Sequence, residues 1–206
     1  MKTAATSHER LAKHLKVGHV YRRDMLASYS KAVDRDLAAL LTKGLLEKVA
    51  PGLYYKPLSS RFGILPPNDW DLIKSFLKDD EFLLFSWDTY NALGVGLTQL
   101  YNRMVVYNYK RHGVFKLGNK FFDFRRPVRG FPKKLSPEFL LVDLVNNMAK
   151  LTEDTDLLKN NIKKKLAGFD RKKLIAFVKK YGKIATKYFF EEIPFILVSN
   201  PRLIQS

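Results

Sequence analysis

The residues that could support acid–base or metal chemistry are scattered in this sequence. Its four histidines lie in no HExxH pattern and have no carboxylate at metal-ligand spacing; they are His8, His14, His19 and His112. There is no cysteine, which excludes disulfides and thiolate metal sites. The segment Gly94-Val95-Gly96 lacks the third glycine of a dinucleotide-binding loop. We therefore expect no catalytic residues, no metal and no cofactor.

One set of acids could still serve an enzyme. Asp79, Asp80 and Glu81, together with Lys110, have the composition of a nuclease centre, in which carboxylates bind a metal and a lysine assists. Acids that follow the end of a helix are also typical of an ordinary exposed surface. A nucleic-acid-processing enzyme therefore stays open as the alternative function.

A second set of side chains could bind DNA. At about 100° per residue, one face of a helix after Ser30 carries Lys31, Arg35, Ala38 and Thr42. The opposite face is apolar and consists of Val33, Leu37, Leu40 and Leu41. A helix in the DNA major groove needs charge for phosphates, an arginine for guanine and little bulk between them. An ordinary solvated helix face would show the same spacing.

The surrounding elements would position this helix. Ser30 is predicted to be its N-cap, and Gly44 is predicted to end it in the left-handed conformation. A first helix is expected over residues 7–16 and a short one over 22–27, and residues 45–56 have the pattern of a hairpin that turns at Pro51-Gly52. This order predicts a winged helix-turn-helix domain over residues 1–56.

Composition favours an anionic partner. The 206 residues include 37 basic and 20 acidic ones, a net charge of +17, and 46% of the residues are hydrophobic. The charge is spread along the chain, with 11 basic and 5 acidic residues in 1–56, 13 and 7 in 57–135, and 13 and 8 in 136–206. Such a balance indicates nucleic acid first and an acidic membrane surface second. The N-terminus lacks a signal-peptide pattern and no apolar run is long enough to span a membrane, so we expect a cytoplasmic protein.

Beyond residue 56 the pattern predicts an α+β body. Residues 57–68 hold three prolines and are predicted to be a linker. We then expect a helix over 69–78 with Trp70, Ile73 and Leu77 inward, a strand over 81–85, a helix over 86–94, a strand over 103–109 and a hairpin over 114–126. In that hairpin Phe122 and Phe124 alternate with Asp123 and Arg125, which predicts one covered and one wet face.

The last third is predicted to be a small helical bundle over residues 136–193, within a body of 69–206. Its helices are expected to start at Ser136, near residue 154, at Asp170 and at residue 183, with Leu157, Leu158 and Ile162 among the inward residues. The final segment, 194–206, could be a docked extension or a frayed end. The aromatic and basic residues around 101–110 and 121–126 could stack nucleic-acid bases, or form a half-buried sheet with a wet basic face.

The segment GLLEKVAPGLYYKP (44–57), followed by FGILPP and SWDTYNALGVGL and then by the strand–hairpin region, resembles the AbiEi family, the antitoxins of bicistronic type IV toxin–antitoxin systems in bacteria. The resemblance covers roughly residues 7–135 and is most specific in 44–57. The C-terminal helices match the family only in being helical and basic.

The resemblance implies an autorepressor and antitoxin. Its winged domain would bind double-stranded operator repeats, and the rest of the chain would neutralise a nucleotidyltransferase toxin without a stable complex. Lys31 and Arg35 would read DNA with Ser30 and Thr42 beside them, and phosphate contacts would fall to Arg22, Arg23 and Lys48. The residues expected to neutralise the toxin are Lys163, Lys164, Lys165, Arg171, Lys172 and Lys173. A transcription regulator without a toxin is a further alternative.

Overall fold

A computed structural model describes residues 5–97 and 104–194. The helices are α1 (Ser7–Lys13), α2 (Arg23–Leu26), α3 (Val33–Thr42), α4 (Asp69–Leu77), α5 (Pro137–Asn147), α6 (Thr155–Lys165), α7 (Arg171–Tyr181) and α8 (Ile184–Glu191). The strands are β1 (Val20–Arg22), β2 (Glu47–Ala50), β3 (Leu53–Tyr55), β4 (Leu58–Ser60), β5 (Gly63–Leu65), β6 (Leu83–Ser86), β7 (Met104–Tyr107), β8 (Gly113–Leu117) and β9 (Lys120–Arg125). Short 3-10 helices cover Trp87–Leu93, Met148–Lys150 and Leu166–Gly168. The predicted α+β class with a helical C-terminal region is confirmed.

The chain divides into two compact units. The first unit comprises the chain through Phe82 and the segment Gly113–Phe122, and the second comprises Leu83–His112 and the chain from Asp123 onward. This division differs from the predicted boundary at 57–68. That segment belongs to the first unit and forms the antiparallel pair β4–β5. Its prolines flank the two short strands, so the segment is folded and not an extended linker. Strand β9 begins in the first unit and ends in the second.

The first unit contains the helices α1, α2 and α3 and a three-stranded sheet. The strand order is β1-β3-β2, and both pairs are antiparallel. Three apolar residues of α3, Val33, Leu37 and Leu40, pack with Leu11 of α1 and Tyr54 of β3 in one core. The order of elements is the one predicted for residues 1–56, apart from β1, which is too short to show a periodic pattern. The assignment as a winged helix-turn-helix stays a prediction.

The remainder of the first unit surrounds this sheet. The Gly118 N–H at the tip of the β8–β9 hairpin donates to the Val49 carbonyl of β2 at 2.7 Å. Helix α4 begins at Asn68, whose side chain accepts from the Trp70 and Asp71 N–H groups. It buries Leu72, Ile73 and Leu77. Trp70 was predicted to face inward and is 43% exposed, because it packs on the neighbouring Phe82 ring at 5.3 Å and leaves the core position to Leu72.

In the second unit, β6 pairs antiparallel with β7, and the Asn108 N–H after β7 donates to the Arg125 carbonyl of β9 at 3.0 Å. Helix α5 starts at Ser136, whose hydroxyl accepts from the Phe139 N–H, and it is buried on nearly every side. It packs against α7, α8 and the 3-10 helix Trp87–Leu93. Leu157 of α6 was predicted to face inward and is 58% exposed, since Leu158 and Ile162 fill the core side of that helix.

The predicted wet face of β9 is covered. Phe122 and Phe124 are fully buried as expected, but Asp123 is only 8% exposed and the Arg125 side chain only 15%. Both nitrogens that Arg125 turns toward Asp123 reach the same carboxylate oxygen, Nη2 at 2.7 Å and Nε at 3.1 Å. The guanidinium also lies 4.6 Å from the centre of the Trp87 ring. Pairing and stacking allow two charged residues to occupy a covered face.

Candidate nucleic-acid interface

Helix α3 exposes the face that was predicted to read DNA. Lys31, Arg35, Ala38 and Thr42 are all exposed, but Lys31 was predicted to lie on the helix and lies in the turn before it, because α3 begins at Val33. Neither Lys31 nor Arg35 has an ion pair within residues 5–97 and 104–194. The Thr42 hydroxyl donates to the Ala38 carbonyl at 3.0 Å, so only its oxygen is open to a further donor. The helix face therefore offers one arginine that has no ion pair among the described residues, beside two small side chains, and Lys31 adds a second such cation just before the helix.

The start of α3 is fixed by hydrogen bonds to a buried carboxylate. The Ser30 hydroxyl donates to Asp36 Oδ2 at 2.6 Å, and the Ser7 hydroxyl of α1 donates to the same oxygen at 2.5 Å. These two bonds lower the pKa of Asp36. Ser30 was predicted to be the N-cap, which is wrong, because the helix begins at Val33 with Ala32 as its N-cap. The Ser30 hydroxyl accepts instead from the Ala32 N–H at 3.0 Å.

The end of α3 lies where the sequence predicted it. The helix stops at Thr42, and Gly44 has φ +65°, the left-handed conformation that glycine takes without steric cost. Lys48, on β2, is exposed and has no ion pair within the described parts of the chain. Lys48 is therefore free to contact a phosphate.

Two arginines with predicted phosphate roles already have partners in the first unit. Arg22 Nε donates to Asp24 Oδ1 at 3.0 Å, and its Nη1 donates to the Ser75 carbonyl of α4 at 2.7 Å. Lys78 and Arg22 together lower the pKa of Asp24 to about 2. Arg23 donates from Nε and Nη2 to both carboxylate oxygens of Asp34, at 2.6 and 2.5 Å. Each arginine would have to exchange these bonds to reach a phosphate.

The basic residues expected to neutralise a toxin lie in the second unit. Lys163, Lys164 and Lys165 are exposed at the end of α6. Lys172 and Lys173 are exposed at the start of α7, where Lys173 Nζ lies 3.6 Å from Asp170 Oδ2. Arg171 is partly buried, so it is a poor member of a docking surface.

The nuclease-like set does not gather into one metal-binding group. Asp80 pairs with Lys74 of α4 at 3.6 Å. Among residues 5–97 and 104–194, no three histidine, aspartate or glutamate side chains are arranged to hold a metal ion. No helix in the same residues is long and apolar enough to cross a membrane.

One buried polar network was not predicted from the sequence. Asp143 of α5 is 4% exposed and accepts from the Tyr90 and Tyr107 hydroxyls at 2.6 and 2.7 Å. The Asn147 side chain donates to Asp143 Oδ1 at 3.2 Å. Burial raises the pKa of Asp143, although the tyrosine bonds act to lower it. The signal was an acid inside the apolar run Leu140–Val145.

Comparison with known proteins gives a fold likeness alone. No protein-family model matches the chain, and no curated protein matches it. The structure is similar to the crystal structure of the Rv2827c protein from Mycobacterium tuberculosis, with a TM-score of 0.50 and 16% sequence identity. The similarity covers 92% of this chain and 78% of that protein. At this identity the likeness concerns the fold and not the function.

Proposed function

We propose that the chain is a DNA-binding transcriptional autorepressor and antitoxin of the AbiEi type, with the first unit as its winged helix-turn-helix. The observation that carries the proposal is the open face of α3, where Arg35 is exposed beside the small Ala38 and Thr42 and has no ion pair among the described residues, with Lys31 exposed in the preceding turn. A helix of this kind can enter the major groove, read guanine with Arg35 and leave phosphates to Lys31 and Lys48.

Phosphate contacts are assigned differently from the sequence-based expectation. Lys48 keeps that role, since its ammonium is exposed and unpaired. Arg22 and Arg23 take a supporting role, because their guanidinium groups already donate to Asp24, to the Ser75 carbonyl and to Asp34. The Arg23–Asp34 pair also neutralises an acid in the first turn of α3 that would otherwise repel DNA.

The DNA-binding half is tested with the full chain and the duplex upstream of its own reading frame. Fluorescence anisotropy in about 150 mM salt should show saturable binding that a scrambled duplex of equal length cannot match, because base contacts add to phosphate attraction. Equal affinity for both duplexes would leave only non-specific attraction to a chain of charge +17 and would contradict the repressor role.

The antitoxin half rests on the resemblance and on the exposed lysines of α6 and α7. If a nucleotidyltransferase encoded beside this gene inhibits growth, co-expression of this chain should restore growth. Reversing Lys163, Lys164 and Lys165 to glutamate should damage rescue and spare operator binding, since these side chains are exposed and outside the first unit. Lys172→Glu with Lys173→Glu is the second test, and Arg171 is left unchanged because it is partly buried. Full rescue by both variants would contradict a role for these clusters.

A further inference from the structure

The second unit contains a cavity of about 590 Å³ that the proposed function does not use. It lies where the end of β9 and residues 126–130 meet α5 and the start of α8. Pockets of roughly 300–1,000 Å³ are the usual size for small-molecule ligands. The cavity can therefore hold one compact ligand.

Five cationic side chains and a single carboxylate line this cavity; they are Arg125, Arg126, Arg129, Lys150, Lys183 and Asp143. Arg125 is paired with Asp123, and Lys183 Nζ donates to the Asn146 carbonyl at 2.7 Å. Arg126, Arg129 and Lys150 have no ion pair within the described parts of the chain. The Asp143 carboxylate is already engaged by two tyrosine hydroxyls. The lining therefore has an excess of positive charge.

Two further observations indicate that this charge is unsatisfied. Arg125 Nη1 is buried and finds no acceptor among residues 5–97 and 104–194. A buried charged N–H without an acceptor costs free energy that an anionic ligand would recover. The pKa of Lys150 is lowered by burial and then by Arg125 and Lys183, as expected where cations crowd together.

The apolar part of the lining is aliphatic where it is exposed, at Val128 and Ile184. The aromatic residues Tyr107, Phe139 and Tyr181 border the cavity but are each less than 10% exposed. Phosphate groups suit the cations, and a flat, largely apolar base can pack on the exposed aliphatic side chains. Both features occur together in nucleotides.

We propose that this cavity is a binding site for a nucleoside polyphosphate, whose phosphates contact Arg125, Arg126, Arg129 and Lys150 and whose base packs on the exposed Val128 and Ile184. The site is separate from the α3 face, which belongs to the first unit. It does not depend on whether the chain binds DNA.

The test is isothermal titration of the full chain at about 150 mM salt with ATP, inorganic tripolyphosphate and adenosine. ATP should bind saturably at one site per chain, tripolyphosphate at least fivefold more weakly, and adenosine without measurable heat. The variant Arg126→Gln/Arg129→Gln/Lys150→Gln should lose ATP affinity at least tenfold, because it removes three exposed cations and leaves the Arg125–Asp123 pair intact.

The matched control is Lys163→Gln/Lys172→Gln/Lys179→Gln, which removes the same charge from exposed positions outside the cavity. It should keep ATP affinity within twofold. Equal losses in both triple variants would overturn the proposal, since they would mean general charge attraction. Absence of saturable ATP binding would overturn it, as would tripolyphosphate binding as tightly as ATP or an oligonucleotide binding where ATP does not. If the triple variant does not fold, Lys150→Gln alone should weaken ATP binding at least threefold.

Discussion

At the scale of single residues, exposure distinguishes side chains that can read a ligand from those that hold the fold. Arg35 is exposed on α3 without an ion pair in the described residues, whereas Arg22 is tied to Asp24 and to the Ser75 carbonyl. Their residue type is the same and the sequence assigned both to DNA. The two arginines differ in their neighbours in the folded structure, and residue spacing in the sequence does not specify those neighbours.

Arg35→Ala should weaken binding of the operator duplex by about 1–3 kcal/mol and relax its sequence preference, because a bidentate arginine–guanine pair is worth that much. The measurement is anisotropy with operator and scrambled duplexes. Lys179→Ala is the control, since Lys179 is an exposed cation of the second unit. Unchanged operator affinity in Arg35→Ala would show that α3 does not read bases.

Tyr90→Phe should lower the free energy of unfolding by about 1.5–3 kcal/mol, the usual value of a hydrogen bond to a charged group. The hydroxyl it removes donates to the buried Asp143 carboxyl at 2.6 Å. Tyr188→Phe is the matched control, because Tyr188 is 62% exposed. Urea unfolding measures both variants, and an equal effect of the two would deny the network its stabilising role.

Asp143 should make stability depend on pH. Burial raises the pKa of its carboxyl in the folded protein above the unfolded value of roughly 3.9. The folded state then holds its proton to higher pH, so stability falls as pH rises from the unfolded pKa through the folded one. Relative to Asp143→Asn, which does not titrate, the natural protein should lose stability across this window. Urea unfolding of both proteins between pH 4 and 8 tests the sign; a rising difference would mean a lowered folded pKa.

At the scale of elements, sequence patterns predicted well where helices and strands occur, but they predicted poorly which faces of these elements are covered by other residues. The ends of helices were readable because Gly44, Ser136 and Asp170 act locally: a left-handed turn and two side-chain caps. The β9 strand was readable as a strand, but its second face was not. The alternation of apolar and charged residues along β9 cannot show whether the charged face is exposed to solvent or covered, because the residue that covers Arg125, Trp87, is distant in sequence. The exposure of Arg35, Ala38 and Thr42 on one face of α3 could be predicted from the sequence. The basic cavity could not, because its lining residues come from segments that are far apart in the sequence.

Lys48 of β2 and Arg22 of β1 should behave differently in DNA binding. Lys48→Ala should weaken operator and scrambled duplexes alike and reduce the salt slope by about 1, because one phosphate contact is lost. Arg22→Ala should leave that slope unchanged and lower the melting temperature, since it removes the bond between β1 and the Ser75 carbonyl of α4. Salt titrations and thermal unfolding separate the two outcomes. A lowered salt slope in Arg22→Ala would return that residue to the phosphate-contacting set.

At the scale of the whole chain, the two units are not successive segments. The first unit needs Gly113–Phe122, and the Gly118 N–H reaches the Val49 carbonyl. Sequence composition suggested a cut near 57–68, because prolines there resemble a linker, and nothing local marks a later hairpin as part of the first unit. Removing residues 1–56 is therefore a poor way to separate DNA binding from antitoxin activity. The α3 substitutions are the cleaner tool.

A fragment of residues 57–206 should show this directly by amide hydrogen exchange. The Gly118 amide should exchange faster than in the full chain, since its acceptor on Val49 is gone. The amides of α5 should keep their protection, because that helix is buried within the second unit. An equally slow Gly118 amide in the fragment would contradict the role of Val49, and loss of protection in α5 would contradict the independence of the second unit.

The split of strand β9 between the two units also has a consequence for synthesis. Chains emerge from the ribosome N-terminus first, and domains generally fold as units while they do so. Residues through Phe82 emerge early, yet the first unit reaches the form described here only after Phe122 has followed. By then Leu83–His112 has already left the ribosome and awaits the rest of the second unit. A nascent chain that stalls between Phe82 and Phe122 therefore carries two unfinished units at once. Translation must pass Phe122 before the first unit is complete, and Ala185 before the cavity of the second unit has all its lining residues.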